Sequence, residues 1–308
     1  MKKLLIACSL VLLSLQSANA QNEDTWAPRQ LGLGLGVGTT GIVIDASTTM
    51  NRWLGIRAGV DIVPNLKVNT DLDLGTEGLN SDFQDLTRRA EQINQAAGHT
   101  VIDLSGLPGG NLPESMDVQG KWANTTFHLL VDIYPFKNSS FHATTGFYVG
   151  GKEIVSVYNK EAGFLKPITQ WNEAVLNPSS LPDAAQQYVQ GQSMIGAELG
   201  DYFIAPDPAD NGDVKATIEV SAFRPYLGIG FGRAVPRKGR VGFQLDLGAQ
   251  YWGAPKVYAP TYDKATGKYQ RQQLTDDHAG GDGGDIIKII SKIPVYPTMT
   301  FRLVGRIL

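Results

Sequence analysis

The sequence predicts an all-β fold: a transmembrane antiparallel up-and-down β-barrel of eight strands, with long extracellular loops containing short helices. Three observations predict it. A secretory leader is followed by no apolar run approaching the about 20 residues a spanning helix needs. Apolar and polar residues alternate with period two in segment after segment, and short turns alternate with long connections.

Lys2 and Lys3, the apolar run "LLIACSLVLLSL" and the small residues Ala18-Asn19-Ala20 define a signal peptide over 1–20, leaving 21–308 as one barrel domain. Cys8 belongs to the leader's apolar core, because cleavage at that cysteine would leave too few residues before it. The mature chain then has no cysteine, which excludes disulfides, thiolate metal sites and thiol catalysis. Of the 27 basic residues Lys2 and Lys3 go with the leader, leaving 25 against 30 acidic ones and a net charge of −5. A nucleic-acid surface would be basic. The 35 glycines suit closely packed strands.

The strands follow in order. "LGLGLGVGTTGIVIDASTTM" places apolar residues at odd positions from Leu31 to Val37 and at even positions from Ile42 to Met50. One regular strand cannot change parity. Either a bulge adds a residue near Thr39, or a two-residue hairpin at Thr39-Thr40 pairs 37 with 42 and 35 with 44. The hairpin gives eight strands with both chain ends periplasmic, although threonine is a poor residue for such a turn. The same stretch spells G-x-G-x-x-G from Gly36 to Gly41, with Asp61 downstream. That fingerprint should open a helix, whereas Ile42-Val43-Ile44 is β-branched and the alternation continues.

"WLGIRAGVDIV" sets Leu54, Ile56, Ala58, Val60 and Ile62 against Arg57 and Asp61. "TFHLLVDIY" sets Phe127, Leu129, Val131 and Ile133 against His128, Asp132 and Tyr134, and "FHATTGFYVGGK" opposes Phe141, Ala143, Phe147 and Val149 to His142, Thr144, Tyr148 and Lys152. "YLGIGFGRA" alternates Leu227, Ile229 and Phe231 with glycine. "RVGFQLDLGAQYW" and "YPTMTFRLVGRIL" complete the set, with Gln244, Asp246, Arg302 and Arg306 on their polar faces.

In a soluble sandwich the apolar faces would form the core; in a membrane barrel they meet lipid and the polar faces line the lumen. Asp45, Arg57, Asp61, Asp132, Lys152, Arg224, Asp246, Arg302 and Arg306 nearly balance, as a closed lumen requires, and form the expected lumen polar network. Glycines on the same faces let side chains approach across a narrow bore.

Short links at Asn51-Arg52, Lys137 to Ser140 and Pro236 to Gly239 alternate with loop insertions over about 64–117, 159–216 and 258–293. The first insertion holds a helix in "SDFQDLTRRAEQINQAAG", with Ser81 as N-cap, Phe83, Leu86, Ala90 and Ile93 on one stripe and Gly98 as the stop. Residues 180–191 form a second short helix. The acidic, glycine-rich 276–285 carries oxygen ligands of the kind calcium takes but no complete calcium-loop spacing, and Asp285 is expected to cap a helix from Ile286 to Ile293. "DPADNGD", 207–213, is a turn. His128 and His142 flank a short turn, are placed toward the periplasmic end, and face Tyr148 and Tyr134 as lumen packing. His99 and His278 fall in outer loops with no nucleophile identifiable beside them.

The strands "LGIRAGVDIV", "LLVDIYPFKNSSFHATTGFYVGG", "FRPYLGIGFGRAVPRKGRVGFQLDLGAQYWGAPKV" and "YPTMTFRLVGRIL" resemble those of small Gram-negative outer-membrane β-barrel proteins, porin-family members of unassigned activity. The resemblance implies localisation in the cell outer membrane, contact with outer-membrane lipids, and recognition of the C-terminal strand by the barrel-assembly machinery. Here that strand ends in Ile307-Leu308, where the family usually ends in phenylalanine.

The expectation is a monomer with a structural, surface-binding or adhesion role, meeting an extracellular ligand or protein at its loops. A narrow porin-like channel for small solutes is the alternative, and a loop-based enzyme a third reading. No catalytic residue, metal, cofactor or nucleic-acid partner is expected.

Overall fold

The computed structural model describes residues 30–73, 83–105, 115–136, 138–237 and 239–307, so the leader, Cys8 and Ser81 lie outside the described residues. The chain opens with β1 (Gln30–Gly38), β2 (Gly41–Thr49), β3 (Leu54–Asp73), β4 (Ser115–Ile133) and β5 (Phe141–Gly150). Four strands follow within the second long connection: β6 (Glu153–Asn159), β7 (Ala197–Leu199), β8 (Tyr202–Ile204) and β9 (Lys215–Glu219). β10 (Phe223–Gly232) and β11 (Val241–Tyr251) lead to β12 (Lys256–Asp263), β13 (Lys268–Leu274) and the closing strand β14 (Val295–Arg306).

Eight of these close on themselves in the order β1-β2-β3-β4-β5-β10-β11-β14, with β14 pairing back onto β1, every pair antiparallel. Closure leaves this ring without a free edge. The first two strands form the hairpin rather than the bulge: Val37 pairs Ile42 and Leu35 pairs Ile44, turning through Thr39-Thr40. Gly41 takes the φ of +99° that the turn demands. Both described chain ends therefore lie at the end with the short turns, and the G-x-G-x-x-G residues make a strand, a turn and a strand.

Alternation decides which face turns outward. Phe243 is 63% exposed and Phe127 47%, while Gln244, Asp246, His128 and Asp132 beside them are buried. Two stacked sheets would bury those phenylalanines; a barrel presents them. The outward belt is framed by aromatic residues at both levels, as in membrane barrels. Phe141 packs edge-on against Phe231, and Phe243 stacks on Phe301, near the short-turn end. Phe147 lies against Phe223 near the long-connection end, where Tyr251 is also exposed on the outward face of β11. The 11 residues of β11, rising about 3.3 Å each with a tilt of about 40°, climb roughly 28 Å, close to the about 25 Å apolar band of outer-membrane barrels.

The long connections hold more than loops with short helices. β3 and β4 continue beyond the barrel after a register shift between Val63 and Leu66, where Pro64 interrupts the ladder. β4 pairs β5 up to Gly150 and then exchanges it for β6, starting a second layer of pairing through β9, β12, β8 and β7. Against it lie α1 (Phe83–Ala97), α2 (Lys166–Leu176), the short α3 (Asp183–Gln186) and α4 (Gly281–Ser291). Ala90, Ile93, Ile102, Met116, Val118, Ile168, Trp171 and Val189 bury one another there, giving this cap its own hydrophobic core.

α1 ends at Gly98, whose φ of +71° suits a helix stop. α4 begins at Gly281, ahead of the expected Ile286, so Asp285 lies inside the helix instead of capping it. Residues 207–213 form the anticipated turn, with Asn211 and Gly212 both at positive φ.

Candidate functional site

The lumen is built by the polar faces of the barrel strands. Arg57 on β3 donates to Asp132 on β4 at 2.7 Å and to Asp246 on β11 at 2.9 and 3.2 Å. Arg302 on β14 donates to Asp45 on β2 at 2.6 Å and to Gln244 at 3.1 Å. His142 Nε2 donates to Asp246 at 2.8 Å, and His128 Nδ1 to Asp61 at 2.6 Å. The Thr40 hydroxyl, from the hairpin turn, donates to the other oxygen of Asp61. All these side chains are buried, so each charge is held where a lone charge would be costly and a bonded one is tolerated.

Glycine makes the crossings fit. A side chain at Gly36 would meet Arg302, and one at Gly228 or Gly248 would meet the ring of Tyr226. The bore is also stopped from the short-turn end. Ala234 and Val235, after β10, tuck inward and are fully buried. Ala234 N donates to the Tyr134 hydroxyl at 2.9 Å, and its carbonyl accepts from Ser47 Oγ at 2.6 Å. The free space left among Asp45, Arg57, Asp61, His128 and Arg302 is about 10 Å³, about one water molecule.

Six of the nine residues expected in the lumen network meet there: Asp45, Arg57, Asp61, Asp132, Asp246 and Arg302. Three do not. Lys152 is exposed because β5 ends at Gly150, before the alternation could carry it inward. Arg224 is buried at the long-connection end, but it bonds the carbonyls of Ser221 and Gly151 at 2.8 and 2.6 Å rather than a carboxylate. Arg306 is only half-buried, at the last position of β14.

The histidines face the expected tyrosines, His128 with Tyr148 and His142 with Tyr134 at ring separations of 5.4 and 5.3 Å. His128 does not belong to the short-turn end, however. It pairs Tyr148, two residues from the far end of β5, because β4 runs well past β5. The carboxylate partners of both rings sit on other strands, beyond the reach of sequence spacing. Among the described residues, one trio has metal-ligand spacing, Asp132, His142 and Asp246; the Arg57 guanidinium already bonds both of its carboxylates.

The cap holds the larger space. A cleft of about 420 Å³ opens between the β7–β8 and β12–β13 hairpins, bordered by Tyr202, Phe203, Thr261, Tyr262, Gln270 and Gln272. The Lys264 ammonium lies 4.6 Å above the Phe203 ring and 3.2 Å from Glu198. His278 Nδ1 is 2.9 Å from Asp201 at the rim. Hydrogen bonds from the Thr266 hydroxyl and the Ala265 and Thr266 amides hold the Asp263 carboxyl below the usual carboxylate range, so it stays ionised on the border. The volume is in the range of small-molecule sites, and the border offers aromatic faces, amides and both signs of charge. His99 lies elsewhere, its Nδ1 3.1 Å from the Ala97 carbonyl.

The closed ring, the outward apolar belt and the ion-paired bore define an integral-membrane β-barrel of small size. No protein-family model and no curated protein matches the chain. Among solved structures it is similar to CarO of Acinetobacter baumannii, at 13% identity over 92% of this chain and 99% of that one, with a TM-score of 0.39. CarO2 of the same organism is similar at 14% identity over 91% and 99%, TM-score 0.41. A major outer membrane protein from Thermus thermophilus follows at 12% over 90% and 98%, TM-score 0.35. The architecture itself rests on the chain's own strand pairing.

Proposed function

We propose that this chain is exported by cleavage of its 1–20 leader and resides as a monomer in the outer membrane. Its short turns face the periplasm and its cap faces outward. We propose further that it acts by binding a ligand or a partner at that surface rather than by conducting solutes. One contrast carries the reading: about 10 Å³ of free space lies among the ion pairs and about 30 Å³ at the mouth by Thr40, Arg224 and Tyr296, while the cap offers an open cleft of about 420 Å³. A solute would have to displace Arg57 and Arg302 from buried carboxylates and leave those charges without their cations, a cost of several kcal/mol per stranded charge. Eight strands leave an interior filled by side chains.

The test is planar-bilayer recording of the refolded protein, with folding verified by heat-modifiable migration on an unboiled gel. Flat current at applied voltages is expected. Step conductances would overturn the surface-binding reading and restore the channel.

A further inference from the structure

The outward apolar face of β14 does not stop where the strand begins. Phe301, Met299 and Val295 are exposed along the strand, and upstream of it Ile293, Ile289 and Ile286 are exposed in turn. Within α4, Ile287 is 7% exposed and packs with Tyr202, Ala259, Leu274 and Ala279 of the cap, whereas Ile289 is 63% exposed. The helix thus has one apolar contact into the protein and a separate apolar side, Ile286 and Ile289 at i and i+3, with Ile293 exposed two residues beyond its end. Such a stripe left in water is unfavourable, and unlike a scattered surface leucine it forms a continuous patch.

The connection to the barrel is rigid. Trp252 donates from Nε1 to the Ile293 carbonyl at 2.7 Å and from its backbone to Pro294 at 3.0 Å. Its indole stacks on Tyr296 at 4.7 Å. Beside Trp252, Tyr251 is 56% exposed on the outward face and pairs Val295; tyrosine collects where hydrocarbon gives way to headgroups, so the segment that follows α4 is tied at that level. Lys288 on the helix and Lys292 at its C-cap are both exposed next to these isoleucines, where long stems can run along lipid and raise their ammonium groups to phosphates.

We infer that Ile286 and Ile289 of α4, with Ile293 just past its end, are immersed in the outer leaflet of the membrane, extending the barrel's lipid contact into the cap and fixing the height of the cleft above the bilayer. This rests on the membrane reading proposed above. The occupant is lipid rather than a second copy of the chain, because the stripe is continuous with the belt and flanked by lysines.

The mature sequence lacks cysteine, which allows single labelling. Ile286→Cys, Ile289→Cys, Leu247→Cys on the belt and Asp183→Cys in the cap each receive a small fluorophore. The proteins are refolded into vesicles of phosphatidylcholine and phosphatidylglycerol with brominated acyl chains. The labels at 286 and 289 are expected to be quenched at least twofold more than the label at 183, approaching the label at 247. Quenching at 289 no greater than at 183, with 247 quenched, would overturn the inference and leave the membrane reading standing. Shielding of 289 that grows with protein-to-lipid ratio, without bromine quenching, would assign the face to a second copy and overturn it equally. An unquenched label at 247 would remove the membrane reading and this inference together.

Discussion

Arg57 on β3 reaches across the lumen to Asp246 on β11, its two terminal nitrogens 2.9 and 3.2 Å from the carboxylate, joining strands that share no backbone pairing. The same guanidinium holds Asp132 on the neighbouring β4 at 2.7 Å. Two carboxylates therefore share one buried guanidinium, with His142 and Arg302 also facing Asp246. Arg57→Met should cost about 3–5 kcal/mol, the penalty for stranding a buried charge, read as a lower urea midpoint for the vesicle-embedded protein. Adding Asp132→Leu should recover more than half of that loss, since an apolar pair of similar volume can replace an ion pair. A single variant as stable as the parent would show that the bore is not sealed from water.

Leu247 occupies the middle of β11 on the outward face, between the buried Asp246 and the inward Gly248. Leu247→Arg should destabilise the barrel in vesicles by about 2–4 kcal/mol, the cost of arginine at a bilayer midplane. The same substitution on a solvent-facing strand would be close to neutral. Equilibrium unfolding from vesicles distinguishes the two, and a change below about 0.5 kcal/mol, the range of ordinary surface substitutions, would contradict a lipid-facing belt.

Thr40 explains how a poor turn residue closes the first hairpin. Its hydroxyl donates to Asp61, which also accepts from His128 at 2.6 Å, and Thr40 is itself buried. Asn-Gly suits turns with positive φ at both central residues, whereas in this turn Gly41 alone has it, and the exchange also removes this donor. A hydrogen bond to a charged group is worth about 1.5–3 kcal/mol. Thr40→Val and the Asn-Gly exchange should therefore both lower stability, measured by temperature-dependent migration on unboiled gels. A stabilising Asn-Gly variant would mean the bond to Asp61 contributes little.

The barrel strands were readable because period-two alternation is a local signal, and lipid on one side with a packed bore on the other imposes it strictly. The change of parity admitted a bulge or a hairpin, and the count of eight strands favoured the hairpin that pairs Val37 with Ile42. Parity gives a face, however, not a partner or a strand end. Hence Lys152 falls beyond Gly150, Arg224 turns to backbone carbonyls, and His128 sits at the level opposite to the one its distance from the turn implied. The cap was harder to read because its strands are short and paired at long range: β7 and β8 have 3 residues each, and Ile204 pairs Thr261. α2 did leave a signal in the sequence, a proline in its first turn followed by Ile168, Trp171 and Val175 at helical spacing.

Trp171 separates the stability of the cap from that of the barrel. It is buried against Ile168, Ala174 and Ile195 in the cap core, and its indole donates to the Ser193 carbonyl at 3.1 Å. None of these groups belongs to a barrel strand. Trp171→Ala should cost the cap about 3–5 kcal/mol through the cavity it leaves, while the ring of strands, held by its own pairing and ion pairs, persists. Limited proteolysis of the vesicle-embedded variant should then open new cleavage sites within 159–216, with heat-modifiable migration of the barrel unchanged. Any binding measured at the cleft should weaken with it, because β7 and β8 follow directly from this core. Loss of the heat-modifiable form would show instead that barrel and cap unfold as one unit, and the surface could not be altered without losing the membrane anchor.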